Sequence, residues 1–296
     1  MGWIILLFGG VFMNLKRDTY AIVDLDHLKY NVELAHSEFK RPLMAVIKAD
    51  AYGHGYKEVA SFLKDIDYIE MFAVATLQEA IELRELGINK GILILGAIPT
   101  SKEDIDLAIK YDISLTMISL DYMHHLQTLI DNQPLKIHVK LDTGMHRIGL
   151  TSKEELSTLL KLVDPDKFNV EGIFTHFATA DGDDVAFEKQ RSLFYEMIGN
   201  CKFKYIHCCN SAAMTYHHDE KSNMGRLGIT MYGCSPNGEE ETKFKQVMSL
   251  YTKVAMIKKI PAGDQVGYGL TYTAKEDEYI ATLPIGYADG FIRKNQ

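Results

Sequence analysis

The sequence predicts an α/β fold, a (β/α)8 TIM-type barrel followed by the beginning of a mainly β C-terminal domain, and three observations lead to it. Short apolar, β-branched runs alternate with amphipathic helical stretches from residue 20 onward. This alternation is typical of parallel strands joined by helical crossovers. Once the first run is set apart, eight remain, which is the number that closes a barrel. After residue 237 the chain turns to glycine-rich strands and turns without helices.

The predicted elements follow one another at regular intervals along the chain. The apolar run 21–26 is set apart, and the barrel strands are expected at 43–48, 71–75, 92–96, 114–118, 136–141, 170–175, 204–207 and, more weakly, 223–231. Helical stretches are expected at 27–39, 56–64, 77–86, 101–110 and 185–199. Thr76 with Glu79, and Ser101 with Asp104, have the spacing of capping boxes. An open α/β sheet with one miscounted strand is the alternative to the barrel.

Three segments are expected: an apolar extension at 1–13, the barrel at 14–240 and a partial β domain at 241–296. The apolar run 3–13 is too short to span a bilayer, and it lacks the basic flank of a signal peptide. It is interpreted either as the product of an upstream start, with Met13 the true first residue, or as the stub of a membrane anchor. The β segment holds too few strands for a stable sheet domain, so the chain is expected to be cut short.

Composition restricts the kind of partner. The net charge of −8 argues against a nucleic-acid partner, because phosphates require a basic face. The four cysteines (Cys201, Cys208, Cys209 and Cys234) do not form a disulfide framework, and no CxxC or CxxH spacing predicts a metal site. They are interpreted as reduced cysteines of a cytoplasmic protein. The substrate is expected to be a small molecule, and no membrane partner is expected.

Lys48 stands at the end of the first barrel strand and precedes the glycine-containing segment ADAYGHG. Ligands of such barrels bind at the carboxyl ends of the strands, where burial of an ammonium group is costly. A lysine in that position suits a Schiff base with a carbonyl cofactor. The alternative is a solvated lysine at a strand end.

The segment AVIKADAYGHG at 45–55 resembles the pyridoxal phosphate attachment motif of the alanine racemase family. Further segments resemble the same family in the same order: KLDTGMHRIG (140–149), THFATAD (175–181), HCCNSAA (207–213), NMGRLGITMYG (223–233), VGYGLTYTA (266–274) and PIGYADG (284–290). The resemblance implies an enzyme that uses pyridoxal 5'-phosphate to interconvert L- and D-alanine for cell-wall peptidoglycan. It also implies a homodimer with shared active sites.

The resemblance assigns the cofactor-binding residues. Lys48 carries the cofactor and acts as one catalytic base. Arg226 faces the pyridine nitrogen, and because arginine keeps its proton it leaves the ring a weaker electron sink. The residues expected to contact the cofactor are Lys48, Tyr52, His176, Asn210, Ser211, Arg226, Gly228 and Ile229. Ser211 alone is equally explained as the N-cap of the helix that follows it.

Tyr268 is the second catalytic base by resemblance, and it comes from the other subunit. Arg147 and His176 stabilise its phenolate, and Arg147 also binds the substrate carboxylate. His207 orients Arg226. Lys140 has two interpretations: a carbamylated side chain that orients Arg147, or an ordinary lysine paired with Asp142.

Two other functions stay open on the sequence: a serine racemase of the glycopeptide-resistance type and a pyridoxal phosphate-binding protein without activity. A decarboxylase is disfavoured by the YGLTYTA and GYADG segments. The family's β domain continues past GYADG with further substrate and phosphate contacts. If the natural protein ends at Gln296, we expect weak cofactor retention, a poor dimer and little activity. His146 replaces a small residue of the family pattern, with no assigned consequence.

Overall fold

The computed structural model describes residues 3–7, 18–98, 100–131, 133–217, 219–239 and 242–292. Its contacts divide the chain into two units. The larger is Leu25–Gln246, and the smaller joins the segment from Val247 onward to the N-terminal segment that ends at Asp24. This division falls at other residues than the sequence-based domain bounds at 14–240 and 241–296. Those bounds stay a prediction.

Short strands and helices alternate through most of the chain. The strands are β1 (Trp3–Leu7), β2 (Tyr20–Asp24), β3 (Leu43–Val46), β4 (Ile69–Val74), β5 (Gly91–Ile94), β6 (Leu115–Met117), β7 (Leu135–Lys140), β8 (Phe168–Phe174), β9 (Tyr205–Ile206), β10 (Gly225–Leu227), β11 (Met248–Tyr251), β12 (Met256–Ile260), β13 (Gln265–Val266), β14 (Tyr272–Thr273) and β15 (Glu278–Thr282). The helices are α1 (Leu25–Phe39), the short α2 (Lys48–Gly53), α3 (Tyr56–Leu63), α4 (Leu77–Glu85), α5 (Lys102–Lys110), α6 (Leu120–Leu129), α7 (Lys153–Leu162), α8 (Asp184–Ile198) and α9 (Ser211–Tyr216). Two 3-10 helices are Ile229–Tyr232 and Tyr287–Asp289.

The larger unit is a parallel barrel. Its strands form two four-stranded sheets in the orders β10-β3-β4-β5 and β6-β7-β8-β9. A parallel bridge between Leu93 and Ser114 joins the two sheets on one side. On the other side the Asn223 amide donates to the Ile206 carbonyl at 2.9 Å. The predicted (β/α)8 barrel is therefore confirmed, and the open-sheet alternative is wrong.

The barrel strands are buried on both faces, which explains why their sequences are nearly continuous apolar runs. All four residues of β3 are buried, and so are the last four of β4. Methionines fill part of the interior, where Met44, Met71 and Met224 pack with smaller side chains. Flexible thioethers suit such irregular gaps.

Two helices begin at the predicted capping boxes. The Thr76 hydroxyl accepts a hydrogen bond from the Glu79 amide at 3.2 Å, and the Glu79 carboxylate accepts one from the Thr76 amide at 3.1 Å. Ser101 and Asp104 form the same reciprocal pair at the start of α5. Both predictions are confirmed, because the pattern depends only on residues three positions apart.

The smaller unit is made of short β elements. Strand β2 pairs in parallel with β1 and antiparallel with β11, while β12 pairs with β15 and β13 with β14. The run at 21–26 was therefore rightly set apart from the barrel strands. Most of the 1–13 extension, including Met13, lies outside the described residues, and so do the two interpretations of it. Among the described helices, none combines the length and the apolar character that a membrane span requires.

Candidate active site

The backbone after β3 turns through a left-handed segment that carries Lys48 and Tyr52 into the barrel mouth. The residues from Ala49 to Tyr52 have φ between 52° and 55°. Such a conformation costs an L-residue about 1–2 kcal/mol. Helix α2 therefore winds in the hand opposite to that of an ordinary α-helix.

Side chains from neighbouring elements hold this turn. The Ala49 amide donates to Glu79 Oε1 at 2.7 Å, and the Tyr56 amide donates to Asp50 Oδ1 at 2.9 Å. Glu79 therefore has two functions, since it also closes the capping box of α4. These bonds offset part of the strain and fix the position of Lys48, the residue directly before the turn.

Lys48 lines a cavity of about 340 Å³ at the carboxyl ends of the strands. The cavity lies within the larger unit and collects most of the residues that the sequence predicted. The predicted residues that line it are Lys48, Tyr52, Lys140, Arg147, His176, Asn210, Ser211, Arg226, Gly228 and Ile229. The other lining side chains are mainly apolar, and they include Val46, Leu95, Phe174 and Phe177. The combination of apolar walls with converging polar groups is typical of a cofactor site.

One wall of the cavity carries small residues and hydroxyl groups. The Gly228 amide donates to Ser211 Oγ at 2.9 Å. A Cβ placed on Gly228 would lie 3.6 Å from both Ser211 Oγ and Tyr52 Oη, so glycine keeps the space between the two hydroxyls open. The N-cap of α9 is Asn210, whose side chain accepts from the Ala213 amide at 3.0 Å. The alternative interpretation of Ser211 as N-cap is therefore wrong.

Arg226 lies buried at the base of the cavity. Its Nη2 donates to the Thr175 and Cys208 carbonyl oxygens at 2.7 and 3.2 Å, and its Nη1 donates to the His207 carbonyl oxygen. Nη1 also lies 3.2 Å from His207 Nδ1, and Nη2 lies 3.4 Å from His176 Nδ1. Burial lowers the pKa of Arg226 to about 10, so the guanidinium is still charged at neutral pH.

His207 contacts Arg226 on one side and a second buried histidine, His138, on the other. Because its Nδ1 accepts from Arg226, its proton resides on Nε2, which donates to His138 Nδ1 at 2.8 Å. Burial lowers the pKa of His138 to about 3 and places the pKa of His207 well below its usual value. Both rings are therefore neutral, and the predicted contact of His207 with Arg226 is present without a second positive charge.

His176 is neutral for the same reason. Burial, followed by the nearby Arg226 and Arg147 guanidinium groups, lowers its pKa to about 3. Since Nδ1 accepts from Arg226, the ring proton resides on Nε2. His176 can therefore donate one hydrogen bond from Nε2.

Lys140 projects from the end of β7 into the cavity. Its Nζ donates to the Leu141 carbonyl oxygen at 2.7 Å. Burial, with the positive charges of Arg226 and Arg147, lowers its pKa to about 7, although Asp142 acts in the opposite direction. The Asp142 carboxylate meanwhile accepts from the Gly144 and His146 amides, both at 3.0 Å.

Tyr268 belongs to the smaller unit. It lies between β13 and β14, and 87% of its surface is exposed. The flanking Gly267 and Gly269 have φ of 78° and 80°, and glycine adopts such values at little cost.

Three residues of the site were not predicted. Glu79 was recognised only as a helix cap. His138 lies two residues before Lys140 on β7, so strand alternation could have pointed it into the barrel. The Tyr232 ring packs 5.2 Å from that of Tyr52, and its hydroxyl donates to the Val46 carbonyl at 3.0 Å. Tyr232 lies in the same NMGRLGITMYG segment as Arg226.

Two protein-family models match most of the chain. The family described as "Alanine racemase, N-terminal domain" matches residues 23–236, and "Alanine racemase, C-terminal domain" matches residues 247–296. Alanine racemase from Ligilactobacillus salivarius is 42% identical over 292 residues, which cover 95% of this chain and 78% of that protein.

Solved structures agree as well. A crystal structure of alanine racemase from E. faecalis has a TM-score of 0.88 at 36% identity, covering 96% of this chain and 79% of that one. Histidine racemase from Leuconostoc mesenteroides subsp. sake has a TM-score of 0.82 at 29% identity, covering 94% and 77%.

Proposed function

The chain belongs to the alanine racemase family and is an isomerase of that class, and we propose that it interconverts L- and D-alanine with pyridoxal 5'-phosphate. D-alanine made in this way would enter cell-wall peptidoglycan. The observation that carries the proposal is the position of Lys48. It lines the same cavity as Arg226, Ser211 and Tyr52. A cytoplasmic location is part of the proposal, supported by the four free cysteines.

The residues present fit pyridoxal phosphate. Between Ser211 Oγ and Tyr52 Oη, Gly228 leaves a space that a Cβ would fill, which suits a phosphate group. The amide of Ile229 begins a 3-10 helix on the same wall, so a backbone N–H is available there. We propose that these groups bind the phosphate while Lys48 binds the aldehyde carbon.

The bound cofactor would supply the electron sink that makes the substrate Cα–H bond acidic. Arg226 would donate to the pyridine nitrogen without protonating it, because its charge is held by carbonyl oxygens and neutral histidines. This arrangement limits how strongly the ring withdraws electrons. It favours proton exchange at Cα over reactions that need a stronger sink.

Racemisation requires proton transfer on both faces of a planar Cα. We propose that the Lys48 amine serves one face and the Tyr268 phenol the other. His176 supports the phenolate, because its neutral ring carries the proton on Nε2 and can donate it as a hydrogen bond. Arg147, which lines the cavity, would bind the substrate carboxylate.

A homodimer is part of this proposal. Lys48 is carried by the larger unit and Tyr268 by the smaller. We propose that each active site joins Lys48 of one subunit to Tyr268 of the other. Closed two-fold dimers are the commonest soluble oligomers, so each dimer would contain two equivalent sites.

Solvent isotope exchange tests the activity and the substrate together. The protein, loaded with pyridoxal phosphate, is incubated in D2O with L-alanine, and Cα deuterium and D-alanine are followed by NMR and chiral chromatography. We expect deuterium in both enantiomers, and the Lys48→Ala variant should show neither. L-serine and L-histidine serve as comparison substrates. Exchange with either of them and none with alanine would contradict the assignment of alanine.

A further inference from the structure

Two adjacent cysteines and an aspartate lie close together in the larger unit. None of the three lines the cavity that contains Lys48. Cys208 and Cys209 are buried, with 0% and 1% of their surface exposed, and Asp219 is 5% exposed. The ligand atoms of these three side chains all lie within 4.8 Å of one another. We propose that Cys208, Cys209 and Asp219 form a binding site for a thiophilic divalent cation of the zinc class.

The separations of the ligand atoms suit tetrahedral coordination. Cys208 Sγ lies 4.0 Å from Cys209 Sγ and 3.3 Å from Asp219 Oδ2. With zinc–sulfur bonds of about 2.3 Å and zinc–oxygen bonds of about 2.1 Å, tetrahedral geometry requires roughly 3.8 and 3.6 Å. These two separations are within a few tenths of an ångström of the required values, and the third, between Cys209 Sγ and the Asp219 carboxylate, lies within 4.8 Å and would have to close to about 3.6 Å.

The carboxylate is already oriented for this role. Asp219 Oδ1 accepts from Tyr195 Oη at 2.7 Å and from the amides of Lys221 and Ser222 at 2.9 and 3.0 Å. Oδ2 is turned to the Cys208 thiol. Outer hydrogen bonds of this kind fix a ligating carboxylate in place, and they are a regular feature of metal sites.

A surface cavity lies beside the site. A surface cavity of about 610 Å³ is lined by Tyr195 and Asp219, together with Arg191, Glu220 and Lys221. Tyr195 Oη lies 3.3 Å from Cys208 Sγ, so the cavity reaches the residues that touch the thiol.

Binding involves no oxidation or reduction. Two S–H bonds lose their protons to solvent, and two sulfur–metal bonds form in their place. The resulting charge of two thiolates and one carboxylate exceeds that of the ion. The guanidinium of Arg226, which donates to the Cys208 carbonyl oxygen at 3.2 Å, lies close enough to offset the excess.

Cadmium titration tests the proposal on the full chain. With a phosphine reductant that does not bind the metal, Cd²⁺ should give a thiolate-to-metal charge-transfer absorption that saturates at one ion per chain and that Zn²⁺ displaces. The double variant Cys201→Ser/Cys234→Ser should keep this signal, because those two cysteines are exposed and lie outside the cluster. Loss of the signal in that control would overturn the proposal.

Two variants of the cluster complete the test. Cys209→Ala should abolish the saturable absorption. Asp219→Asn should weaken binding by at least about tenfold, since an amide nitrogen replaces the ligating oxygen. Asparagine can keep Oδ1 as acceptor for Tyr195 and the two amides, so this variant decides the matter if Cys209→Ala does not fold. Binding to Asp219→Asn with unchanged affinity contradicts the site.

Discussion

Lys140 is the residue whose chemistry depends most on its surroundings. It is 2% exposed, and burial beside two guanidinium groups lowers the pKa of its amine to about 7. Above that pH the amine is mainly neutral, and a neutral amine is the form that adds carbon dioxide. The product is an anion, which would replace repulsion from Arg147 and Arg226 by attraction. Of the two interpretations of Lys140 we propose the carbamate, since Nζ donates to the Leu141 carbonyl oxygen and Asp142 Oδ1 accepts from the loop amides of Gly144 and His146.

We therefore expect a carbamate at Lys140. With ¹³C-labelled bicarbonate, the protein should show a carbamate resonance in ¹³C NMR, and its intensity should rise as the pH increases through about 7. The Lys140→Met variant should lack it. The matched control is Lys136→Met on the same strand, because Lys136 instead pairs with Asp112 at 2.6 Å. A resonance that persists in Lys140→Met would contradict the assignment.

The element that determines the site is the left-handed turn after β3. Ala49, Ala51 and Tyr52 have no intrinsic preference for positive φ, so contacts with other residues must help to impose the conformation. Glu79 does this through the Ala49 amide. Strain held by neighbouring groups is a recurrent property of functional sites.

Glu79→Ala should therefore affect the site as well as the helix. Removing the carboxylate loses the bond from the Thr76 amide, which is half of the capping box of α4, and the bond from the Ala49 amide, at a cost of about 1–3 kcal/mol in the free energy of unfolding. We also expect faster release of pyridoxal phosphate. Urea unfolding and the decay of cofactor absorbance on dilution measure the two effects.

Asp104→Ala is the matched control, because Asp104 closes the capping box of α5 and, among the described residues, accepts hydrogen bonds from Ser101 alone. It should lose about 1 kcal/mol of stability and retain the cofactor as the unaltered protein does. Equal cofactor release from the two variants would show that Glu79 acts on the fold alone.

The elements that the sequence predicted are those specified by local pattern. The apolar runs that became β3 to β10 needed only burial on both faces, and the two capping boxes needed only residues three positions apart. The left-handed turn at 48–53 is held in part by Glu79, more than twenty-five residues further along the chain, so the local pattern alone does not predict it. The meeting of Asp219 with Cys208 and Cys209 likewise depends on the fold, since the cysteine spacing matches no zinc motif.

At the scale of the whole molecule, the two units divide the chemistry. The barrel unit holds the cavity with Lys48, and the β unit holds Tyr268. The chain spans 78% of the length of its L. salivarius relative. A shared site in a dimer would join the two catalytic residues from different copies.

Mixing two inactive variants tests this arrangement. Lys48→Ala and Tyr268→Phe should each be inactive. After subunit exchange, half of the dimers would be mixed, each with one intact site, so about a quarter of the activity should return. The sedimentation coefficient measured alongside should correspond to a dimer. A monomer, or dimers that regain no activity on mixing, would contradict a site shared between subunits.

Borohydride reduction tests whether Lys48 carries the cofactor. The protein is loaded with pyridoxal phosphate, reduced, digested and mapped by mass spectrometry. We expect the pyridoxyl group on the peptide that contains Lys48 and, in the Lys48→Ala variant, on no peptide at comparable yield. A label found mainly on another lysine, Lys140 above all, or no label on the loaded protein, would contradict the claim.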